Sequence, residues 1–166
     1  NGVKLSVSAI YVYNADGTPA SFSPIRILGA DTLKGNGRGL GTDKDGNILH
    51  SQSGPALLFK INYQTGELMA KAAMDASPTA AMGDANGNIY CAHVVPGNKL
   101  YVFDADLNQT GVGIASTVGY SRAFAVSADG KTIYWAGYDK GNIKVYTRAD
   151  EFSEFTLADS IAQGAR

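Results

Sequence analysis

The run Asp43-Lys44-Asp45-Gly46-Asn47 contains the side-chain oxygens with which a calcium-binding loop begins. An EF-hand loop also needs a bidentate glutamate at its twelfth position, and counted from Asp43 that position is Gly54. The corresponding runs at 84–87 and 128–130 keep a glycine but lose potential ligands. Glycine supplies the positive φ of a tight hairpin, and aspartate caps such a turn. We therefore predict structural turns here and assign no metal ligand.

Two histidines and one cysteine are the other residues with metal or nucleophile chemistry. His50 and His93 are 43 residues apart, in equivalent strands of adjacent sequence repeats. Equivalent positions in packed sheets are about 10 Å apart, which is too far for both imidazoles to bind one ion. We predict that each histidine is either hydrogen-bonded or exposed. Cys91 is the only cysteine, so no internal disulfide forms, and its alternating strand context predicts a buried, inert thiol.

Sequence signatures of catalysis are missing from the chain. It contains no Gly-x-Ser-x-Gly elbow, no His-Glu-x-x-His motif and no glycine-rich phosphate loop. Positions predicted to line a central channel carry small residues such as Gly39, Gly41 and Ala81. We predict no catalytic residue and no cofactor.

The elements that position these residues follow a repeat. Four apolar runs end in Asn, Asp or Thr at positions 14, 62, 104 and 147, which are 48, 42 and 43 residues apart. The hairpin glycines Gly46, Gly87 and Gly130 are 41 and 43 residues apart. Two landmarks therefore share one period. A period in the forties with several short strands per repeat is typical of β-propeller blades, and we predict an all-β propeller.

Each complete repeat reads as four antiparallel strands joined by three turns, so the chain contains about 3.75 blades. The first copy lacks its innermost strand, which would precede residue 1, and its other three strands are predicted at 3–7, 9–14 and 21–28. In the last blade, the fourth strand is predicted at Phe152 to Leu157. The predicted segments are an incomplete blade at 1–30, three blades at 37–74, 79–117 and 122–158, and a linker to a missing inner strand at 159–166.

Ring closure is the main constraint on such a chain, because unpaired first and last blades expose apolar faces and strand edges. Known propellers have about four to eight blades. Three arrangements satisfy the constraint: a segment of a longer propeller, two copies that together form a ring of about eight blades, or a minimal ring. We favour the first, and then the second.

Charge and composition reduce the range of possible partners. Lys plus Arg total 14 against 15 for Asp plus Glu, so nucleic acid and anionic membranes are disfavoured. No apolar run approaches the roughly 20 residues of a membrane span. The chain is poor in charged residues, 17% in all, which is similar to secreted or periplasmic bacterial β proteins. We expect an extracellular or periplasmic location.

The runs Arg38–Leu49 and Gly83–Tyr90, in which a small inner strand meets Asp-x-x-Gly-Asn, resemble the blade core of NHL-type and YncE-like (YVTN) propellers. The runs Asn98–Asp104 and Gly141–Tyr146 resemble their third strand. The resemblance implies a propeller repeat fold. It leaves function open, because these families include adhesins, scaffolds, protein or RNA binders and some enzymes.

The loops that lead into inner strands crowd one rim of a propeller channel, and we predict the ligand-binding residues there. Arginines recurring in register could hold a carboxylate, a sulfated glycan or an acidic loop of a partner. The alternative is that each arginine spans two blades and binds loop carbonyls. An aromatic residue at a strand end is a further surface anchor. The predicted site residues are Arg38, Tyr120, Arg122, Tyr138 and Arg166.

The sequence therefore favours a non-enzymatic β-propeller module for binding or assembly, which presents rim loops to a protein or glycan partner. Self-association, or further blades of a longer chain, would complete its ring. The alternatives are part of a metal-dependent hydrolase or lactonase, and a structural subunit of a surface layer or filament.

Overall fold

The computed structural model describes residues 8–34, 36–95, 97, 99–116, 120–137 and 142–162. These residues form strands and turns, organised as three four-stranded antiparallel sheets and a two-stranded hairpin. Within these ranges, no helix is long and apolar enough to cross a membrane. The architecture agrees with the all-β prediction.

In each of the three large sheets the strands are paired in chain order. The first sheet consists of β3 (Asn36–Thr42), β4 (Ile48–Ser53), β5 (Leu57–Ile61) and β6 (Leu68–Ala73). The second consists of β7 (Pro78–Gly83), β8 (Ile89–His93), β9 (Leu100–Phe103) and β10 (Gln109–Ile114). The third consists of β11 (Ser121–Val126), β12 (Thr132–Gly137), β13 (Asn142–Thr147) and β14 (Thr156–Ala162).

The N-terminal segment forms a partial unit ahead of the first sheet. Isolated antiparallel bridges join Ile10 to Ile25 and Tyr13 to Pro19. A fourth strand predicted at 21–28 is reduced to one of these bridges and to β1 (Ile27–Leu28), which pairs with β2 (Asp31–Thr32). The chain reverses at Gly29, whose φ of 61° favours glycine, and this turn joins β1 to β2. The strand predicted at 3–7 lies outside the described residues.

The last strand lies later than the sequence predicts. Instead of Phe152 to Leu157, β14 begins at Thr156 and continues to Ala162. Residues 159–162, predicted as linker, therefore belong to the sheet. The reason is a turn at Asp150, whose Oδ1 accepts hydrogen bonds from Phe152 N at 3.0 Å and Ser153 Oγ at 2.7 Å. That turn delays the return of the chain to β13.

The core lies between sheets, in three apolar clusters. One contains residues of the partial unit and the first sheet, including Leu33 and Phe59. The second joins the first and second sheets through residues such as Leu58 and Cys91. The third joins the second and third sheets and contains Trp135. The first and second sheets are therefore packed on both faces, and the third sheet is packed against the second.

The inner strands β3 and β7 approach at backbone distance. A Cβ atom added at Gly39 would lie 2.6 Å from Thr79 O, and one added at Gly83 would lie 2.8 Å from Asp43 Cα. A Cβ at Gly41 would overlap the carbonyl oxygen of Ala81. Glycine is therefore required here for close packing, not for an unusual φ. The small residues that we expected to line a channel instead permit contact between sheets.

We predict that Gly41→Ala destabilises the protein by about 1–3 kcal/mol, because the new methyl group overlaps the backbone of β7. The matched control is Gly111→Ala, since a Cβ at Gly111 in β10 would meet nothing within 4 Å. Chemical denaturation measures both free energies of unfolding. Equal effects of the two substitutions would contradict the close-packing argument.

Candidate binding site

The inner strands have two ends, which define two rims. At the turn rim, the inner strands pass into second strands through the turns 43–47, 84–88 and 127–131. At the loop rim, opposite, β3, β7 and β11 begin. Neighbouring sheets are hydrogen-bonded at both rims. Ala85 N donates to Ala128 O at 2.8 Å at the turn rim, and Ser121 N donates to Val94 O at 3.1 Å at the loop rim.

The aspartate turns are structural, as the sequence analysis predicts. Asp43 Oδ1 accepts hydrogen bonds from Asp45 N at 2.9 Å and Asn47 N at 2.8 Å, while Oδ2 accepts from Asn47 Nδ2 at 3.0 Å. The same pattern occurs at Asp84 and Asp104. Sequence reasoning missed Asp104, although its Asp-x-x-x-Asn spacing was a readable signal. Across the described ranges, no group of three or more His, Cys, Asp or Glu side chains could hold a metal ion.

A buried lysine links the first turn to the second sheet. Lys60 Nζ lies 2.8 Å from Asp43 Oδ2 and donates to Ala105 O at 2.9 Å. Burial raises the pKa of Asp43, but the hydrogen bonds from Lys60 and Asn47 outweigh it, and the net pKa lies below its usual value. The ion pair therefore holds a carboxylate, a cation and a neighbouring carbonyl together inside the protein.

A second network joins the second and third sheets, and the sequence analysis did not find it. The Tyr90 hydroxyl donates to Asp84 Oδ2 at 2.8 Å and accepts from Arg148 Nη2 at 2.7 Å. Arg148 Nε also donates to Gly130 O at 2.8 Å. Burial and the adjacent Asp84 raise the pKa of Tyr90, so the hydroxyl keeps its proton. Nothing in the spacing of Arg148 indicates this role, because Tyr90 lies in another repeat.

The two histidines differ in their surroundings. His93 is fully buried, and its Nδ1 lies 2.7 Å from Lys99 O, an oxygen that can only accept, so Nδ1 carries the proton. Its Nε2 lies 3.3 Å from Asp75 Oδ1 without hydrogen-bond alignment. His50 is buried, and neither ring nitrogen makes a hydrogen bond of good geometry, although a weaker contact with the Gly39 backbone offsets part of the effect of burial on its pKa. The expectation that each histidine is hydrogen-bonded or exposed is therefore wrong for His50, whose pKa is lowered by burial.

The prediction of a buried, inert thiol at Cys91 is confirmed. Cys91 is fully buried, and burial raises the pKa of its thiol to about 12, so the thiolate is not formed at neutral pH. Trp135 packs between the second and third sheets, while Tyr134 points to the opposite face and is exposed.

Arg38 lies near the start of β3, at the loop rim, and its side chain is exposed. Its Nε donates to Ser53 Oγ at 3.3 Å, within the same sheet. This bond therefore does not span two blades, which was the alternative considered for the rim arginines. Within the described part of the chain, the other two guanidinium nitrogens make no hydrogen bond, and their geometry suits a ligand with two acceptor oxygens.

The structure describes the remaining predicted site residues to different extents. Tyr120 immediately precedes β11 and is about half exposed. Arg122 lies within β11, where the backbone alone is described. Tyr138 and Arg166 lie outside the described residues. The structure thus places Arg38, Tyr120 and Arg122 on loop-rim strands, and the set as a whole stays a prediction.

A cavity of about 360 Å³ lies beside Arg38. The residues that line it include Arg38, the buried His50, and the apolar Ile10 and Leu40. It therefore offers one cation, one imidazole able to donate or accept, and an apolar wall. This arrangement suits a small anionic group attached to an apolar or sugar framework.

Comparisons with known proteins concern the fold. No protein-family model matches the chain, and no curated protein matches its sequence. The propeller domain of Cps50 (Swd1) from Myceliophteria thermophila is similar, with a TM-score of 0.62, 13% identity, and coverage of 99% of this chain and 58% of that one. A chain in the nidogen/laminin complex has a TM-score of 0.58 and 17% identity, covering 75% and 48%. A gluconolactonase from Xanthomonas campestris has a TM-score of 0.58 and 19% identity, covering 82% and 44%.

These similarities, with the three four-stranded sheets, show that the chain has a β-propeller fold and that its sheets are blades of a partial propeller. The chain spans about half the length of the structures that it matches. At these identities the comparison establishes the fold alone.

We predict that Lys60→Met destabilises the protein by about 3 kcal/mol at neutral pH, because it leaves Asp43 buried without its cation. The pKa of Asp43 is lowered on folding, so its contribution is present above the ordinary value of 3.8 and is lost as the pH falls through the folded pKa. The difference between variant and wild type should therefore shrink below about pH 4. Unfolding measured from pH 3 to pH 7 tests this.

The control for Lys60 is Lys71→Met, which removes a 2.6 Å ion pair with Asp31 between partly exposed side chains. That change should cost about 0–1 kcal/mol. Similar losses for both lysines, or a loss at Lys60 that does not depend on pH, would contradict the buried-pair interpretation.

We further predict that Tyr90→Phe lowers the free energy of unfolding by about 1–2 kcal/mol, since the variant lacks the hydroxyl between Asp84 and Arg148. Tyr134→Phe is the matched control, because that ring is exposed, and it should change stability by less than about 0.5 kcal/mol. Thermal and chemical denaturation give both values. A neutral Tyr90→Phe would mean that the network does not stabilise the blade contact.

Proposed function

We propose that the chain is a non-enzymatic β-propeller module for binding or assembly, which acts outside the cytoplasm and presents its loop rim to a protein or glycan partner. The observation that carries this proposal is the cavity beside Arg38, with an exposed guanidinium and a buried imidazole that makes no hydrogen bond of good geometry. Both groups bind acidic oxygens, so the recognised group is a carboxylate or a sulfate.

The surroundings of the cavity favour selective binding of one acidic group. His50 is buried and stacks near Phe59, with ring centroids 6.3 Å apart, so its ring is held in place. A buried polar atom without a partner costs free energy, and a ligand that supplies the missing hydrogen bond recovers it. Leu40 is an exposed apolar surface next to this site. An acidic group carried on a sugar or peptide framework would meet the fixed His50 ring, supply the hydrogen bond that this ring lacks, and contact Leu40.

Rigid display is the proposed mechanism. The inner strands and the two polar networks fix the angle between blades, so that rim residues of different blades keep constant spacing. A partner then meets a preformed surface and orders few side chains on binding. Further blades of a longer chain, or a second copy, complete the ring on which this rim lies.

Two observations support the partner class and the compartment. One similar structure is a nidogen/laminin complex, in which a propeller fold occurs in a protein complex. The low content of charged residues, 17%, is typical of proteins outside the cytoplasm. The family proposed from sequence, NHL-type or YncE-like, accommodates such a role.

We predict that Arg38→Ala weakens binding of an acidic ligand at least tenfold, about 1.4 kcal/mol. The probes are heparin, as a sulfated glycan, and a glutamate-rich peptide, measured by isothermal titration calorimetry. Arg26→Ala removes another exposed arginine and should leave the affinity unchanged. Tighter binding of one probe would distinguish a glycan from a protein partner.

The proposal fails if the wild-type chain binds neither probe, or if Arg38→Ala and Arg26→Ala weaken binding equally. The second result would indicate general attraction of anions by surface charge.

A further inference from the structure

We propose that a groove between the second and third sheets binds a basic segment of a partner protein, with an arginine or lysine side chain of the partner lying against Phe152 and beside Glu151 and Glu154. The groove lies at the turn rim, opposite the rim that carries Arg38, so the inference goes beyond the function proposed above. Both sheets that form the groove belong to the described chain, and the site is complete without further blades.

The groove is a cavity of about 420 Å³. One wall belongs to the second sheet and includes Val102 of β9 and Gly111 of β10. The other wall is the segment 148–155, which joins β13 to β14 in the third sheet. A Cβ atom added at Gly111 would meet nothing within 4 Å, so the groove is open on that side. Asn88, at the end of a turn-rim hairpin, lines it as well and places it at this rim.

The segment that forms the second wall is longer than its equivalents. Counted from the closing residue of each repeat to the start of the fourth strand, the segments are 62–67, 104–108 and 147–155. The third therefore has nine residues, against six and five in the other sheets. Extra residues in one repeat are placed in surface loops, and such loops are often the binding face of a repeat protein.

This longer segment is held in place at both ends. Near its start, Arg148 Nη1 donates to Glu151 O at 3.1 Å. Near its end, Phe155 packs against the apolar cluster between the second and third sheets, and the Arg148 guanidinium lies 4.7 Å from the centre of the Phe155 ring. The turn at Asp150 fixes the backbone between these points. A partner therefore meets a preformed loop, which reduces the entropy that is lost on binding.

Phe152 lies at the tip of this loop and is 91% exposed, the largest exposure among the large apolar side chains that the structure describes. Its ring borders the groove together with that of Phe155. Aromatic side chains beside a concave surface are frequent anchors of protein–protein contacts. The face of an aromatic ring also attracts a guanidinium or an ammonium group. The ring therefore suits a long cationic side chain, which contributes both a charge and an apolar stem.

The charge of the loop favours the same occupant. Residues 148–155 carry three carboxylates against one cation, a net charge of −2. Arg148 already directs bonds to Tyr90, Gly130 and the loop backbone. Within the described part of the chain, the exposed carboxylates of Glu151 and Glu154 take part in no hydrogen bond or ion pair.

The carboxylates of Glu151 and Glu154 therefore distinguish between classes of ligand. An acidic ligand would be repelled by them, and an uncharged sugar would leave both without a cation. A basic side chain pairs with them and lies against the aromatic ring at the same time.

The test is nuclear magnetic resonance on the isotopically labelled full chain, titrated with the peptide acetyl-Arg-Leu-Arg-amide. We expect backbone amide shifts to change in 109–113 and 148–155, the two walls of the groove. The amides of 62–67, the equivalent segment of the first sheet, should not change. The peptide acetyl-Glu-Leu-Glu-amide should produce no shift in the groove, because its charge is of the same sign as that of the loop.

Two variants test the side chains that carry the proposal. Phe152→Ala and Glu154→Gln should each raise the dissociation constant of the basic peptide at least threefold. The matched controls are Tyr63→Ala and Glu67→Gln, which remove an exposed aromatic ring and an exposed carboxylate from the segment 62–67. Both controls should leave the dissociation constant unchanged.

The proposal is overturned if the basic peptide causes no shift in the groove, if its shifts are spread over the whole surface, or if variants and controls have equal effects. The last two results would indicate general attraction of cations. Groove shifts with cellotriose that are lost in Phe152→Ala, together with no binding of the basic peptide, would identify a glycan site instead and would also overturn it.

The shifts of the wild-type chain decide the question even if a variant does not fold by circular dichroism. Arg38→Ala should leave binding of the basic peptide unchanged, because Arg38 lies at the opposite rim. Failure of the loop-rim proposal is therefore separable from failure of this one.

Discussion

The inner strands of adjacent blades lie so close that a side chain at three glycine positions would overlap the neighbouring backbone. Gly39 and Gly41 face β7, and Gly83 faces the turn at Asp43. This contact sets the distance between blades at the axis, and the larger apolar side chains of the second and third strands then fill the widening space outside. The wedge shape that makes a propeller therefore begins with the absence of side chains at its centre.

Polar groups fix the rotation of one blade relative to the next. Lys60 connects a turn of the first sheet to a carbonyl of the second, and Arg148 connects the third sheet to Tyr90 in the second. Apolar contacts are weakly directional, whereas these buried bonds have defined lengths and angles. Leaving either partner unpaired is costly, so the networks favour one arrangement of the blades. A fixed arrangement gives the loop rim a constant shape.

The cavity wall differs from the equivalent positions of the other blades. Ala81 and Phe124, which are equivalent to Leu40 by strand register, are buried, whereas Leu40 is exposed beside the cavity that Arg38 and His50 line. A blade packed against Leu40 would change the environment of this wall.

Much of the fold could be predicted from the sequence, because local patterns encode it. The period of the closing residues, the hairpin glycines and the aspartate caps are short-range features, and they predicted the strands and turns of the three blades closely. The start of β14 was missed since Asp150 forms a turn that interrupts an apolar run. The lack of a well-aligned hydrogen bond at His50 was missed too, because burial depends on residues far away in the chain.

For the candidate site, the features that the sequence predicts are more clearly separated from those that only the tertiary structure shows. The sequence by itself determined the repeat, the turn chemistry and the position of Arg38 at the start of an inner strand. Only the tertiary structure decided that Arg38 borders a cavity with His50, that Arg148 holds Tyr90, and that Phe152 lies exposed beside a groove between two blades. The physical reason is that hydrogen bonds within a turn act between residues a few positions apart. Contacts between blades join residues some forty or more positions apart, and no local pattern specifies which of them meet.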